Sequence, residues 1–241
     1  MRIGVISDIH ANFTAMLAVL DAMGTVDMLW CLGDLVGYGG QPNECVEEVQ
    51  TRPSRSLHGN HDLAALGQAP LDSFNKEAAA AAAWTSTQLT AQNRDYLLSL
   101  PVQRVEMSKF TLVHGSPRDP VWEYLLDGRQ ALANFPLFET TLCLVGHSHI
   151  PLIFDEKGQG MVVKEDFTLT HQSQPFKRLI VNPGSVGQPR DRNPKASYMI
   201  IETFPLRLAW HRVGYDVEEA QRYIHAAGLP RVLADRLTLG M

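Results

Sequence analysis

The segment RIGVISDIHANFTAMLAVLDAMG runs from Arg2 to Gly24. Its first part, RIGVIS, is short, apolar and β-branched, which is the composition of a buried strand. The part beginning at Asn12 changes period. Phe13, Leu17, Leu20 and Met23 recur at helical spacing, and Gly24 ends the run. A strand that passes into a helix within a few residues is half of a βαβ unit. Between the two halves lie Asp8 and His10.

The pattern then repeats. DMLWCLG reads as a second apolar strand, NECVEEVQ as a short helix with Pro42 near its start, and SRSL as a third strand. This alternation predicts an α/β layered fold with parallel strands at its heart. Residues 73–100 differ. They are rich in strong helix formers, stop at Pro101, and read as two helices, the second capped by Thr90. The alanines Ala78 to Ala83 predict a helix packed closely against a neighbour. We therefore expect a helical insertion at about 66–100, serving as a lid or as a dimer surface. After Val102 strand-like pieces dominate: FTLVHG, TLCLVGHSHI, RLIVNPGS, ASYMIIET and LRLAWHRV. DVEEAQRYIHAAG reads as an amphipathic helix. No repeat or linker interrupts the chain, so residues 1–241 are expected to form one domain.

Composition narrows the function classes. The apolar fraction is 45%, the net charge −5 and the pI about 6.0. An acidic chain without a basic stretch argues against a nucleic-acid binder. It does not argue against a small phosphorylated substrate, whose charge metal ions can meet locally. Three widely spaced cysteines, Cys31, Cys45 and Cys143, make neither a disulfide framework nor a thiolate zinc site. No apolar run is long enough for a signal peptide or a spanning helix, so a cytoplasmic protein without membrane attachment is expected.

Five polar clusters each follow an apolar strand: Asp8-Ile9-His10, Gly33-Asp34, Gly59-Asn60-His61-Asp62, His114-Gly115 and Gly146-His147-Ser148-His149. Singly, each has an ordinary reading as a cap, a turn or a loop histidine. Together they place metal-ligand side chains at the carboxyl end of every central strand, where α/β proteins build their sites. His58 lies on the strand side of Gly59 and reads as structural, as do His171, His211 and His225.

The order D-x-H, G-D, G-N-H-D, H, G-H-x-H resembles the calcineurin-like metallophosphoesterase superfamily over about residues 3–150. VNPGSVGQPRD at 181–191 is similar to a further substrate-side segment. GDLVGYGGQPNECV and the alanine-rich helix resemble its small bacterial and archaeal branch. The resemblance implies a four-layer αββα sandwich with two mixed β-sheets. It also implies hydrolysis of a small phosphomonoester or phosphodiester by a hydroxide bridging two metal ions. By that analogy Asp8, His10 and His149 hold one ion, Asn60, His114 and His147 hold the other, and Asp34 bridges them. Imidazole and carboxylate donors without thiolate suit Mn, Fe, Zn, Ni or Co. The family role of His61 is general acid toward the leaving alkoxide. Asp62 either orients that ring or caps the following helix, and Gly59 permits a sharp bend.

On the substrate side, Asn182, Gly184 and Ser185 could offer backbone N–H groups and a hydroxyl, and Arg190 a bidentate guanidinium. The alternative is a turn with an exposed arginine. Tyr38 could wall the pocket. Trp122 or Tyr124 could stack on a nucleobase of a nucleotide-like substrate, or simply pack the loop, which also carries Arg118. Homo-oligomerisation is left open. The competing class is a non-catalytic metal-binding scaffold of the same fold that mediates protein interactions. A nuclease on the same core is disfavoured by the charge.

Overall fold

The computed structural model describes residues 1–172 and 176–241. In chain order the elements begin β1 (Arg2–Ile6), α1 (Phe13–Met23), β2 (Met28–Cys31), α2 (Pro42–Gln50), β3 (Ser54–Ser56) and α3 (Asn60–Ala65). The helical insertion follows as α4 (Lys76–Gln88) and α5 (Ala91–Leu98), after a single 3-10 turn at Leu71–Ser73. Next come β4 (Gln103–Glu106), β5 (Phe110–Val113), α6 (Gly128–Asn134), β6 (Leu142–Leu144), β7 (Leu152–Asp155), β8 (Gly160–Val162), β9 (Phe167–Thr170) and β10 (Leu179–Asn182). The chain closes with β11 (Ala196–Thr203), β12 (Leu206–Val213), α7 (Val217–Ala226) and α8 (Arg231–Leu239).

Two six-stranded mixed sheets result. One has the order β3-β2-β1-β11-β12-β9, the other β4-β5-β6-β10-β7-β8. β1, β2 and β3 run parallel, as do β5, β6 and β10. Side-chain alternation along these strands builds the layers. Ile3, Val5, Trp30 and Leu32 of the first sheet meet Phe110, Leu112, Leu142, Leu144 and Val181 of the second in one core between the sheets. The alternate residues point the other way. Ile6, Leu29 and Cys31 pack under α1 and α2, while Val113, Cys143 and Ile180 pack under α6. This is the αββα sandwich. At its centre Trp30 and Phe110 meet edge to face at 5.1 Å, a geometry favoured by aromatic rings beyond their area alone.

The strand–helix order of residues 1–60 and the paired helices of the insertion are as expected. Thr90 accepts a hydrogen bond from Asn93 N at 3.2 Å and caps α5. The inward face of α1 is not the expected one. Ala15, Met16, Val19, Leu20 and Met23 are buried, and Leu17 is 45% exposed. Small Ala15 let a neighbouring stripe pack, which a count of large apolar residues could not see. β4 and α8 had no clear pattern: β4 is a half-exposed edge strand, and α8 follows Pro230 directly. Among the described residues no helix is long and apolar enough to cross a membrane.

Candidate metal centre

The carboxyl ends of the central strands converge. Beyond β1 and β2 the pairing continues through the loops: Leu32 N donates to Ile6 O at 2.9 Å, Asp8 N to Gly33 O at 3.0 Å, and His10 N to Asp34 O at 3.0 Å. Asp8, His10 and Asp34 are thereby fixed side by side. β5 leads into His114, β6 leads into His147 and His149, and α3 begins at Asn60. Asp8, His10, Asp34, His147 and His149 all hold left-handed backbone, with φ from 51° to 63°. That conformation costs a non-glycine residue about 1–2 kcal/mol, and it persists only where the surroundings over-determine it.

Two groups of ligand atoms form, with every atom in a group within 4.8 Å of the others. One joins Asp8, His10, Asp34 and His149; the other joins Asp34, His114 and His147. Asn60 falls beside the second, its Oδ1 3.2 Å from His114 Nε2. Asp34 belongs to both. Its Oδ1 accepts the His61 N–H at 2.9 Å, whereas its buried Oδ2 has no hydrogen bond. That Oδ2 lies 3.5 Å from His10 Nε2 and 3.4 Å from His114 Nε2.

Backbone carbonyls aim the rings. His10 Nδ1 faces Val36 O at 3.2 Å, His114 Nδ1 faces Leu32 O at 2.9 Å, and His149 Nδ1 faces Gln188 O at 2.6 Å. Each leaves Nε2 turned inward. His147 is reversed, with Nε2 on Trp122 O at 3.1 Å. Carbonyl acceptors of this kind fix which nitrogen is free to ligate. They carry no side-chain signal, so the sequence could not show them.

Burial pushes His10 and His149 well below the usual histidine range and His147 down to about 3, so these rings are neutral. Burial raises Asp8 to about 7, with His114 opposing. Asp34 goes the other way: burial raises it, but the charges of His114 and His61 prevail and hold it well below the carboxylate range. His114 is the counterpart, lifted to about 9 by Asp34 against the effect of burial.

His61 stays outside both ligand groups. It packs edge to face on His10 at 4.9 Å and against Tyr38 at 4.3 Å, and its buried Nδ1 has no partner. Phe74, from the start of the insertion, meets its ring at 4.9 Å. Asp62 does not orient it, which corrects that expectation. Asp62 Oδ2 accepts from Asp34 N and Gly59 N, both at 2.9 Å, and Oδ1 accepts from Val36 N at 3.1 Å. The carboxylate caps α3 and ties it to the Asp34 loop. Gly59 is likewise not needed for a bend, since its φ of −103° suits any residue. A Cβ there would run into the carboxylate and amide of Asp34.

Two substrate-side expectations are also corrected. Asn182 is fully buried. Its Nδ2 donates to Gly146 O at 2.7 Å and its Oδ1 accepts from Gly184 N at 2.7 Å. Ser185 Oγ donates to Asp8 O and accepts from Gln188 N, both at 2.8 Å. Both side chains brace the loops beneath the centre and are engaged within the protein. Arg190 and Tyr38 do flank the centre. Arg190 Nη2 reaches Tyr38 Oη at 3.4 Å, and the Tyr38 ring lies 4.7 Å from His10. Tyr124 stacks on His147 at 3.9 Å, and Trp122 packs on Phe74 at 5.4 Å. Arg118 is turned away and pairs with Glu123. His58 joins neither ligand group.

This arrangement can be set beside known proteins. Residues 1–204 match the model of the calcineurin-like phosphoesterase superfamily domain. The chain belongs to that superfamily. A metallophosphoesterase from Sphaerobacter thermophilus has a crystal structure that superposes with a TM-score of 0.91 at 44% identity, covering 100% of this chain and 99% of that one. A hypothetical protein from Pyrococcus horikoshii OT3 shares the fold at a TM-score of 0.82 and 22% identity, over 100% and 98% of the two chains. An uncharacterized protein of Methanocaldococcus jannaschii is 40% identical over 245 residues, 99% of this chain and 98% of its own.

The residues of this superfamily member fit divalent metal. His10 Nε2 and His149 Nε2 face each other at 3.1 Å with carboxylate oxygens of Asp8 and Asp34 close by. Asp34 Oδ2 is a buried oxygen that makes no hydrogen bond, with His10 Nε2 at 3.5 Å and His114 Nε2 at 3.4 Å, and a cation placed among these atoms would meet all three. The imidazoles of His10, His147 and His149 are neutral, the form that ligates, whereas His114 would release its proton to a bound ion.

Proposed function

We propose that the protein hydrolyses a small phosphate ester with two divalent transition-metal ions held in the paired sites. The observation that carries this reading is Asp34, common to both ligand groups, whose Oδ2 makes no hydrogen bond and lies within 3.5 Å of His10 Nε2 and of His114 Nε2. Asp8, His10 and His149 would hold one ion, Asn60, His114 and His147 the other, with Asp34 shared. Such ions supply charge neutralisation of the phosphoryl oxygens and a nucleophilic water at neutral pH.

The chain's own groups do the rest. His61 is kept off the metals, with its Nδ1 sealed against Gly37, so its proton would move at Nε2 to the leaving oxygen. Burial takes the free ring down to about 4, opposed by Asp34. A bound phosphate dianion raises it again, as opposite charge favours the imidazolium. Arg190 lies at the same mouth and can meet a phosphoryl oxygen with its guanidinium fork. We further read residues 1–241 as one domain, because β1 pairs with β2 on one side and β11 on the other. A cytoplasmic location fits the three free cysteines.

Hydrolysis of p-nitrophenyl phosphate and bis-p-nitrophenyl phosphate with added Mn tests the reading. Wild type should turn over at least one ester. His61→Ala should lose about 10²–10⁴-fold in rate while keeping its metal. No turnover of either ester by protein carrying two ions would instead favour a non-catalytic scaffold. Metal loss in His61→Ala would make that residue a ligand.

A further inference from the structure

The histidines of the centre are aimed in two different ways. Each of the four ligand rings faces a backbone carbonyl: His10 that of Val36, His114 that of Leu32, His147 that of Trp122 and His149 that of Gln188. No such group aims His61. Its Nδ1 is buried without a partner, and the neighbouring Asp62 carboxylate is taken by three backbone N–H groups. The His61 backbone is nevertheless fixed, since its N–H donates to Asp34 Oδ1 at 2.9 Å in the first turn of α3. What remains is rotation about the side-chain bonds, and packing has to choose among the rotamers.

Three rings and a glycine surround the imidazole. Tyr38 lies 4.3 Å away, tilted by 46°, and His10 meets it edge to face at 4.9 Å. On the Nδ1 side Gly37 comes so close that a Cβ there would stand 2.7 Å from that nitrogen. These contacts come from the loops after β1 and β2. Phe74 is the third ring, edge to face at 4.9 Å and 70°, and it alone comes from the helical insertion. Its place is well determined. Phe74 N donates to Leu71 O at 3.2 Å, and the next residue, Asn75, caps α4 by accepting from Ala78 N at 2.8 Å. The Trp122 ring backs Phe74 at 5.4 Å, and the Trp122 carbonyl is the one that holds His147. The ring partners of Phe74, His61 and Trp122, are not metal ligands, so its effect on the centre passes through His61.

We infer that Phe74 is a positioning residue for His61: the insertion holds the acid ring by packing, in the place where neither a carboxylate nor a carbonyl orients it. Phe74 has no polar atom to offer a substrate, and its part is to keep Nε2 pointed at the leaving oxygen. That part matters because an acid works only within hydrogen-bond reach of the atom it protonates. A misplacement of about 1 Å can cost on the order of 10²-fold in rate. The inference rests on the phosphoesterase reading above and on its assignment of His61 as the acid.

The test is the dependence on the leaving group. Phenolate leaves poorly without a proton, whereas 2,4-dinitrophenolate leaves readily without one. A misplaced acid therefore slows phenyl phosphate more than 2,4-dinitrophenyl phosphate. Both esters are measured on Mn-loaded wild type, His61→Ala, Phe74→Ala, Phe74→Leu and the Phe74→Ala/His61→Ala double variant. In Phe74→Ala the ratio of phenyl to dinitrophenyl kcat/KM should fall at least about tenfold. Phe74→Leu, which keeps part of the bulk, should fall between, and it carries the same comparison if Phe74→Ala does not fold. The double variant should show the ratio of His61→Ala, since no ring is left to position. An unchanged ratio in Phe74→Ala, an equal fall on both esters, or a further fall of the ratio in the double variant overturns the inference. A wild-type ratio in His61→Ala defeats the acid assignment, and no turnover at all defeats the phosphoesterase reading. In either case the positioning is still decided by NMR couplings across the His61 Cα–Cβ bond in the Zn-loaded proteins. A single rotamer in wild type with averaged couplings in Phe74→Ala upholds it, and a single rotamer in both overturns it.

Discussion

Asp62 shows how far a single residue could be read from its neighbours. Beside a candidate acid histidine it could orient the ring or cap a helix, and the sequence could not choose because both need the same carboxylate. The structure has three backbone N–H groups converging on it, from Asp34, Val36 and Gly59. Asp62→Asn replaces one acceptor oxygen with an amide that faces those donors. It should destabilise the fold by about 1–3 kcal/mol, read as a lower thermal midpoint, and the activity that remains should keep the pH profile of wild type. A shifted profile at unchanged stability would return Asp62 to the role of orienting His61. The metal-ligand candidates were legible because their order along the chain is a strong pattern. Asn182 and Ser185 were misread because loop composition does not say whether a polar group faces out or braces the loop from within.

Among the elements, the alanine-rich α4 was expected to lie close to a neighbour, and its small face explains where it sits. Ala78 and Ala81 pack in one cluster with Tyr38, Ile224, Leu233 and Leu237, while Ala82 packs with Ala64 and Ala69. The insertion thus wedges between α3 and the C-terminal helices and carries Phe74 onto His61. Ala81→Leu would add three carbons to a site with no exposure. It should cost about 1–3 kcal/mol through overpacking and lower turnover by displacing Tyr38, both measurable on one preparation by thermal melt and ester hydrolysis. Unchanged stability would mean that the helix can move away and is not braced there. The strands β1, β2 and β5 were readable from short apolar runs buried on both faces. β4 and β8 were not, because edge strands exposed to water lack that pattern. The inward stripe of α1 was missed for a related reason: Ala15 and Met16 form it, and Leu17 points outward.

Over the whole molecule, two sheets meet along a dry core and spend their shared carboxyl end on polar groups. Eight of these, the seven ligand candidates and His61, are buried at 4% exposure or less. Burying them without metal is unfavourable, since carboxylates and rings are then desolvated with incomplete pairing. Metal bound there would therefore contribute to stability. Free ion at 1,000 times its dissociation constant adds about 4 kcal/mol per site, so a chelator should lower the thermal midpoint and added Mn should restore it. The same convergence explains why fold and site could be read together: strand ends set the positions, and the strands themselves are the most strongly patterned part of the chain. The Phe74 contact, joining the insertion to His61, had no such pattern to reveal it. The central claim is that one carboxylate serves two ions. Metal content per chain, measured on Mn-loaded wild type and Asp34→Asn of equal folded fraction, tests it most directly. The account predicts two ions in wild type and reduced occupancy at both positions in the variant; a variant that keeps one position full and loses only the other would contradict it.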